Sequence, residues 1–268
     1  MTNDQMTNAL VTEVSPGPVI FTLAQRELVR FFRQRHRVIG ALVQPILFWL
    51  LLSLGFKSNG LGYEFFFPGT LVMILLFTAI FATISIIEDR REGFLQSVLV
   101  APAPRWAMVL GKIFGGAVIA LLQSLLFLGL GWLTLSLASS PLQILLAIVL
   151  MAVIAVALTG LGFFIAWRHD STQGYHAIMS VFLFPMLLLS GAIFPDDPGS
   201  WLTWLSRLNP LTYGVSGLRH YLQFEEAPLA VDALPHLSVC WLVTLAFAAA
   251  TLVLSWSIAK TRTSGDLL

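Results

Sequence analysis

Long apolar stretches separated by short polar segments dominate the chain. Six of them reach about 20 residues, at roughly 38–56, 66–87, 107–137, 142–167, 175–194 and 236–259. A helix rises ~1.5 Å per residue, so about 20 apolar residues cross a ~30 Å hydrocarbon core. Lys112, near an end of the third stretch, is the one Lys, Arg, Asp or Glu inside these limits. The pattern predicts an all-α integral membrane protein with six transmembrane helices.

Composition supports this prediction. Hydrophobic residues make up 57% of the 268 residues and charged residues 11%, whereas soluble domains carry about 25% charged residues. A soluble fold of this length cannot bury so much apolar surface, but lipid can cover it. The net charge of +1 gives no reason to expect a nucleic-acid partner.

The distribution of Lys and Arg predicts the orientation in the membrane. With the N-terminus in the cytoplasm, twelve of the fifteen basic residues fall in cytoplasmic segments. These are Arg26, Arg30, Arg33, Arg35, Arg37, Arg90, Arg91, Arg105, Lys112, Arg168, Lys260 and Arg262. Positive residues accumulate on the cytoplasmic side of membrane proteins. We therefore expect a multi-pass protein of the cell (inner) membrane with both termini in the cytoplasm.

A polar tail at 1–18 precedes a basic amphipathic helix at 19–37, and the six-span domain covers 38–268. The helix carries Arg26, Arg30, Arg33 and Arg37 at i, i+4, i+7 and i+11, opposite an apolar side. Such a helix lies in the membrane surface with its arginines near lipid phosphates. Two interpretations remain open: an anchor for the first span, or a lever that couples a cytoplasmic partner to it.

The cytoplasmic loop after the second stretch changes abruptly from charged to apolar. Five charges are followed by a glycine and by apolar residues spaced along one stripe of a short helix. The candidate docking residues of this loop are Glu88, Asp89, Arg90, Arg91, Glu92, Gly93, Phe94, Leu95, Val98 and Leu99. The apolar stripe either docks into a groove on another protein or rests on lipid.

The outer segment 195–235 before the last span contains two short apolar helical stripes. Its tryptophan and tyrosine rings favour a membrane interface, so the helices are expected to be interfacial or re-entrant. They form either a surface cap or an exit gate. The candidate gate residues are Gly191, Phe194, Pro195, Trp201, Trp204, Asn209, Pro210, Tyr213 and Arg219.

Three motifs give the chain a family resemblance. They are the Arg-rich entry helix, Glu88-Asp-Arg-Arg-Glu-Gly with Pro102 and Pro104 downstream, and Ser190-Gly-Ala-Ile-Phe-Pro195 followed by Leu208-Asn-Pro-Leu-Thr-Tyr213 and Arg219. With them the sequence resembles type-2 permeases of ABC exporters, in particular the daunorubicin-resistance-like and nodulation-export-like subunits. The resemblance implies a dimer of this chain that meets at the first and fifth spans, binds two copies of a separate ATPase, and exports a drug, lipid or glycolipid-like substrate. It also implies that the docking residues near Glu88–Val100 form the helix that couples the ATPase to the spans.

Motifs for chemistry within the chain are missing. The sequence has no G-x-x-x-x-G-K-[ST] and no H-E-x-x-H, and its Cys and His residues lack metal-ligand spacing. We expect no catalytic residue, metal or cofactor here, with ATP and Mg on the partner subunit. The alternatives are an ion-coupled secondary transporter, which normally buries a mid-membrane carboxylate, and an intramembrane hydrolase, which needs a nucleophile beside a base.

Overall fold

The computed structural model describes residues 15–59, 61–101, 103–194, 201–225 and 234–260. Within these ranges the secondary structure consists of helices joined by turns and loops, with no β-strand, which confirms the all-α class. The helices are α1 (Pro16–Arg33), α2 (Arg35–Phe56), α3 (Tyr63–Ala82), α4 (Ile84–Arg91), α5 (Phe94–Val100), α6 (Arg105–Thr134), α7 (Pro141–Ala166), α8 (Thr172–Leu188), α9 (Trp201–Leu208), α10 (Pro210–Tyr221) and α11 (Leu237–Lys260).

Five helical segments are long and apolar enough to cross a membrane. They are Val38–Phe56, Tyr63–Arg91, Arg105–Thr134, Pro141–Ala166 and Leu237–Lys260. The stretch predicted as the fifth span, 175–194, holds α8, whose 17 residues cover ~25 Å. A turn at Leu189 ends this helix. The count of six spans therefore stays a prediction.

Helix α3 lies at the centre of the bundle. Every residue from Phe66 to Ile80 is buried, because α2, α6, α7 and α10 surround this helix. A helix that is apolar on all sides suits such a position. Two polar contacts fix α6 against it: Ser124 Oγ donates to Leu71 O over 3.2 Å, and Thr78 Oγ1 donates to Gln123 Oε1 over 2.5 Å.

The basic segments assigned to the cytoplasm in the sequence meet at one end of the bundle, here called the charged end. There Arg26 bonds to Asp89, and Arg90 bonds to Asp170 over 3.0 Å. Arg105 Nη1, at the start of α6, donates to the carbonyl of Ala259 in α11 over 3.3 Å. At the opposite end, backbone hydrogen bonds join the loop before α7 to the residues that follow α10.

Helix α10 extends from the opposite end into the bundle. Its Gly217 faces Leu150 of α7, and Gly214 faces Ile154, the fourteenth of the 26 residues of α7. The N-terminal half of α10 thus lies beside the middle of α7. Most of its residues are buried, so protein shields the backbone at this depth. Helix α9, in contrast, exposes both Trp201 and Trp204.

Candidate functional site

A buried cluster of charges joins α1, α4 and α6 at the charged end. Its centre is Lys112 of α6, whose side chain is 3% exposed. The ammonium group donates to Glu27 Oε1 of α1 over 2.5 Å and also to Asp89 of α4. Buried charges are stable when they are paired and hydrogen-bonded. Lys112 therefore holds two other helices rather than reaching for the membrane surface.

Two arginines of α1 complete the cluster. Arg26 makes a bidentate pair with Asp89 at 2.9 and 2.7 Å, and Arg30 bridges Asp89 and Glu88 at 2.7 Å each. Partial burial alone lowers the pKa of Arg26, but the hydrogen bond and charge of Asp89 outweigh it and raise that pKa above its ordinary value. The three cations thus face the carboxylates of Glu27, Glu88 and Asp89, and Arg30 also lies 3.5 Å from the more exposed Glu92.

Small residues allow α1 to approach α6 closely. A Cβ at Gly111 would lie 2.8 Å from Leu23 Cβ, and one at Gly115 would lie 2.8 Å from Glu27 Cβ. Two glycines four residues apart form a flat stripe on which a second helix packs. The buried face of α1, Leu23, Glu27 and Phe31, has the matching spacing. This stripe brings Glu27 within reach of Lys112.

The other side of α4 is tied to the turn between α7 and α8. Arg90 donates to Trp167 O over 2.8 Å and to Asp170 Oδ1 over 3.0 Å, and Arg91 donates to Asp170 O over 3.0 Å. Helix α4 thus bonds α1 and α6 through Asp89, and the turn between α7 and α8 through Arg90. These bonds connect α4 to both sides of the bundle.

Helix α5 follows α4 after a sharp turn at Gly93, whose φ of 75° suits glycine. The apolar stripe of α5 faces the bundle, and its docking to a partner or to lipid stays a prediction. Leu95 is buried, the Phe94 ring lies 3.7 Å beneath the Arg26 guanidinium, and Val98 and Leu99 pack against the core. The exposed side of α5 carries Ser97 and Val100 instead.

The predicted interfacial helix corresponds to α1, but it ends at Arg33, and α2 begins at Arg35. Arg26 and Arg30 are occupied by carboxylates rather than directed only at a membrane surface, and Arg33 is exposed. The side chain of Arg37 lies outside the description. Some apolar residues of α1, including Phe21, are exposed, as expected for a helix at a membrane surface. The interfacial position of α1 stays a prediction.

The predicted gate residues divide into a buried group and an exposed group. Asn209 caps α10 by accepting from Leu211 N over 3.0 Å and donates to Met186 O of α8 over 2.6 Å. Buried Arg219 donates to the carbonyl of Gly191 over 2.7 Å, where a φ of 74° turns the chain after α8. These bonds fix α10 to α8.

The remaining gate residues lie nearer the surface. Trp201, Trp204 and Phe194 are exposed, while Tyr213 Oη donates to Arg207 O over 2.9 Å. Pro210 is the first residue of α10, where its missing N–H costs no hydrogen bond. Pro195 lies outside the described residues.

The pairing of Glu27 with Lys112 is absent from the sequence-based site. A lysine inside a span implies an acidic partner, and Gly111 with Gly115 implies a closely packed helix. These two signals together point to an acid on a neighbouring helix. In the described part of the chain, no group of three His, Cys, Asp or Glu is arranged to hold a metal ion.

Known proteins with similar sequences are transport permeases. The chain is 27% identical over 212 residues to the putative transport permease ycf38 of Cyanophora paradoxa, covering 75% of this chain and 72% of that protein. It is 27% identical over 187 residues to the probable multidrug ABC transporter permease YbhR of Escherichia coli K12, covering 69% of this chain and 48% of YbhR. It therefore spans about half the length of YbhR.

A third relative is the probable doxorubicin resistance ABC transporter permease protein DrrC of Mycobacterium tuberculosis H37Rv. Identity is 24% over 207 residues, or 73% of this chain and 74% of DrrC. The sequence model of the ABC-2 type transporter family matches residues 18–222, from α1 to the end of α10. Because this match covers most of the chain, the protein belongs to the ABC-2 type transporter family of membrane permeases.

Proposed function

We propose that this chain is the transmembrane subunit of an ATP-driven exporter that contains two copies of it and two copies of a separate ABC ATPase. It moves an amphipathic substrate, such as a drug, a lipid or a glycolipid, out of the cytoplasm. Membership of the permease family supports the role, and relatives named for multidrug transport and doxorubicin resistance support the substrate class.

The observation that carries this proposal is the attachment of α5. It begins at Phe94, shortly after Asp89, which is bonded to α1, and Arg90, which is bonded to the α7–α8 turn. Its outer side exposes Ser97 and Val100, the latter at 84%. The ATPase docks against this side, and its movement reaches the spans through α4.

The proposed topology has six spans, with α8 as the fifth and both termini in the cytoplasm. Helix α8 has 17 residues, at the lower end of the ~17–25 that cross a bilayer. The collection of basic residues at the charged end agrees with a cytoplasmic position for that end. The α9–α10 pair then re-enters from the outer side.

Substitutions on α5 test the docking side. Ser97→Arg and Val100→Asp place charges on the exposed side without touching the core, unlike substitutions of buried Leu95. The matched control is Ser58→Arg, an exposed serine at the opposite end. Copurification of the co-expressed ABC ATPase should fall at least about tenfold for the α5 variants, equivalent to ~1.4 kcal/mol. Undiminished copurification for both would reject this docking side.

The ion-coupled alternative has one observation in its favour, since Glu27 and Asp89 are buried acids. Both lie at the charged end and are paired with cations. The hydrolase alternative is weaker, because Ser124 and Ser190 donate their hydroxyls to the carbonyls of Leu71 and Leu187. Reconstitution in vesicles distinguishes the three: export requires ATP and the ATPase, a carrier works with an ion gradient alone, and a hydrolase releases product without nucleotide.

A further inference from the structure

An apolar cleft of about 310 Å³ opens between α7 and α8 near the charged end. Leu161, Phe164 and Ile165 form its α7 wall, and Ile178 and Phe182 belong to its α8 wall. Its volume lies at the lower end of the ~300–1,000 Å³ typical of small-molecule sites. The only described elements that border it are these two helices and the turn that joins them.

A cation stands at the mouth of the cleft. Arg168 is the second residue after α7, and its guanidinium carbon lies 4.8 Å from the centre of the Phe164 ring. In the described part of the chain, Arg168 forms no ion pair, while Asp170 pairs with Arg90. His169, also at the mouth, places its Nδ1 2.7 Å from Ile165 O. The cleft is therefore apolar along its walls and basic at its entrance.

We propose that this cleft binds one acyl chain of an anionic phospholipid whose phosphate is held by Arg168. From Arg168 to Leu161 the α7 wall spans seven residues, or ~10 Å, about a third of a hydrocarbon core of ~30 Å. An arginine where a helix leaves the membrane lies at the level of lipid phosphates. A soluble phosphate would contact Arg168 but not the apolar walls of the cleft. A neutral lipid would contact the apolar walls but would not need Arg168.

The headgroup is tested with the purified full-length protein exposed to equal amounts of phosphatidylglycerol and phosphatidylcholine, followed by native mass spectrometry. The wild type should retain phosphatidylglycerol preferentially. One basic residue near a membrane contributes ~1 kcal/mol, so Arg168→Gln should lower the bound ratio roughly fivefold. Arg168→Lys should preserve it. Arg207→Gln removes another arginine that faces an aromatic ring, Trp204, and should leave the ratio unchanged.

The acyl chain is tested separately. Leu161→Trp fills the cleft and should abolish retention of both lipids, whereas Val149→Trp on an exposed position of the same helix should not. Inorganic phosphate should fail to displace the lipid. The proposal is overturned if Arg168→Gln keeps the wild-type ratio, if phosphate displaces the lipid, or if Leu161→Trp, eluting as a folded species, retains lipid normally. The Arg168 variants decide the matter if Leu161→Trp does not fold.

Discussion

Replacing Lys112 with methionine tests the buried charge cluster directly. Methionine has a similar length and remains apolar, so the substitution removes the charge with little change of volume. Asp89 retains Arg26 and Arg30 as partners, whereas Glu27 keeps only a longer contact of 3.4 Å to Arg26. The cost of the substitution therefore falls mainly on Glu27, which is buried and loses its 2.5 Å bond.

The size of the effect follows from burial. Breaking a buried ion pair by removing one partner costs about 3–5 kcal/mol. We expect the lower limit, about 3 kcal/mol, because Asp89 stays neutralised. At ~2–4 °C per kcal/mol, Lys112→Met should lower the melting temperature by roughly 6–12 °C. Glu27→Gln combined with Lys112→Met should recover more than half of this loss, since no unpaired buried charge remains.

Thermal unfolding of the purified protein in detergent provides the measurement. Asp170→Asn is the control, because this partner of Arg90 is 85% exposed. Arg90 is itself buried, but it keeps the carbonyls of Trp167 and His169 as acceptors, and the asparagine amide oxygen can replace the carboxylate. The control should therefore cost under ~1 kcal/mol and shift the melting temperature by less than about 4 °C. The reasoning is refuted if Lys112→Met melts with the wild type, or if the double variant is less stable than either single variant.

Two further predictions concern packing and topology. Gly115→Val should lower the melting temperature by several degrees, because a Cβ there would lie 2.8 Å from a side-chain atom of α1. The control is Gly129→Ala on the same helix, where a Cβ would have no atom within 4 Å, so the melting temperature should stay unchanged or rise. Equal behaviour of the two variants would contradict the close packing of α1. In intact cells a membrane-impermeant maleimide should label Ser58→Cys, but it should label Ser97→Cys only after permeabilisation. The background labelling should be low because Cys240, the native cysteine, is buried. The reverse labelling pattern would show that the topology is inverted.

Part of the candidate functional site could be predicted from the sequence. The five charges that open the cytoplasmic loop and the two short helices before the last span were found from spacing alone. The packing of the apolar stripe of α5 against the bundle was not found, because a short amphipathic helix packs its apolar stripe wherever apolar surface is available. Here that surface is the protein's own core, which covers Leu95 and turns Val100 outward.

The sequence by itself determined the class of protein, the positions of five candidate spans and the segregation of basic residues, because the length and charge of apolar stretches suffice for these features. Tertiary structure alone decided which helices are central. An 18-residue stretch of Tyr63–Arg91 has a mean hydropathy of 2.6, and one of Leu237–Lys260 has a similar value of 2.3. Yet 89% of the residues in the first stretch are buried, against 22% in the second. Lipid and protein interior are both apolar, so hydrophobicity does not distinguish them. The pairing of Lys112 with Glu27, 85 positions away, likewise depends on how α1 crosses α6.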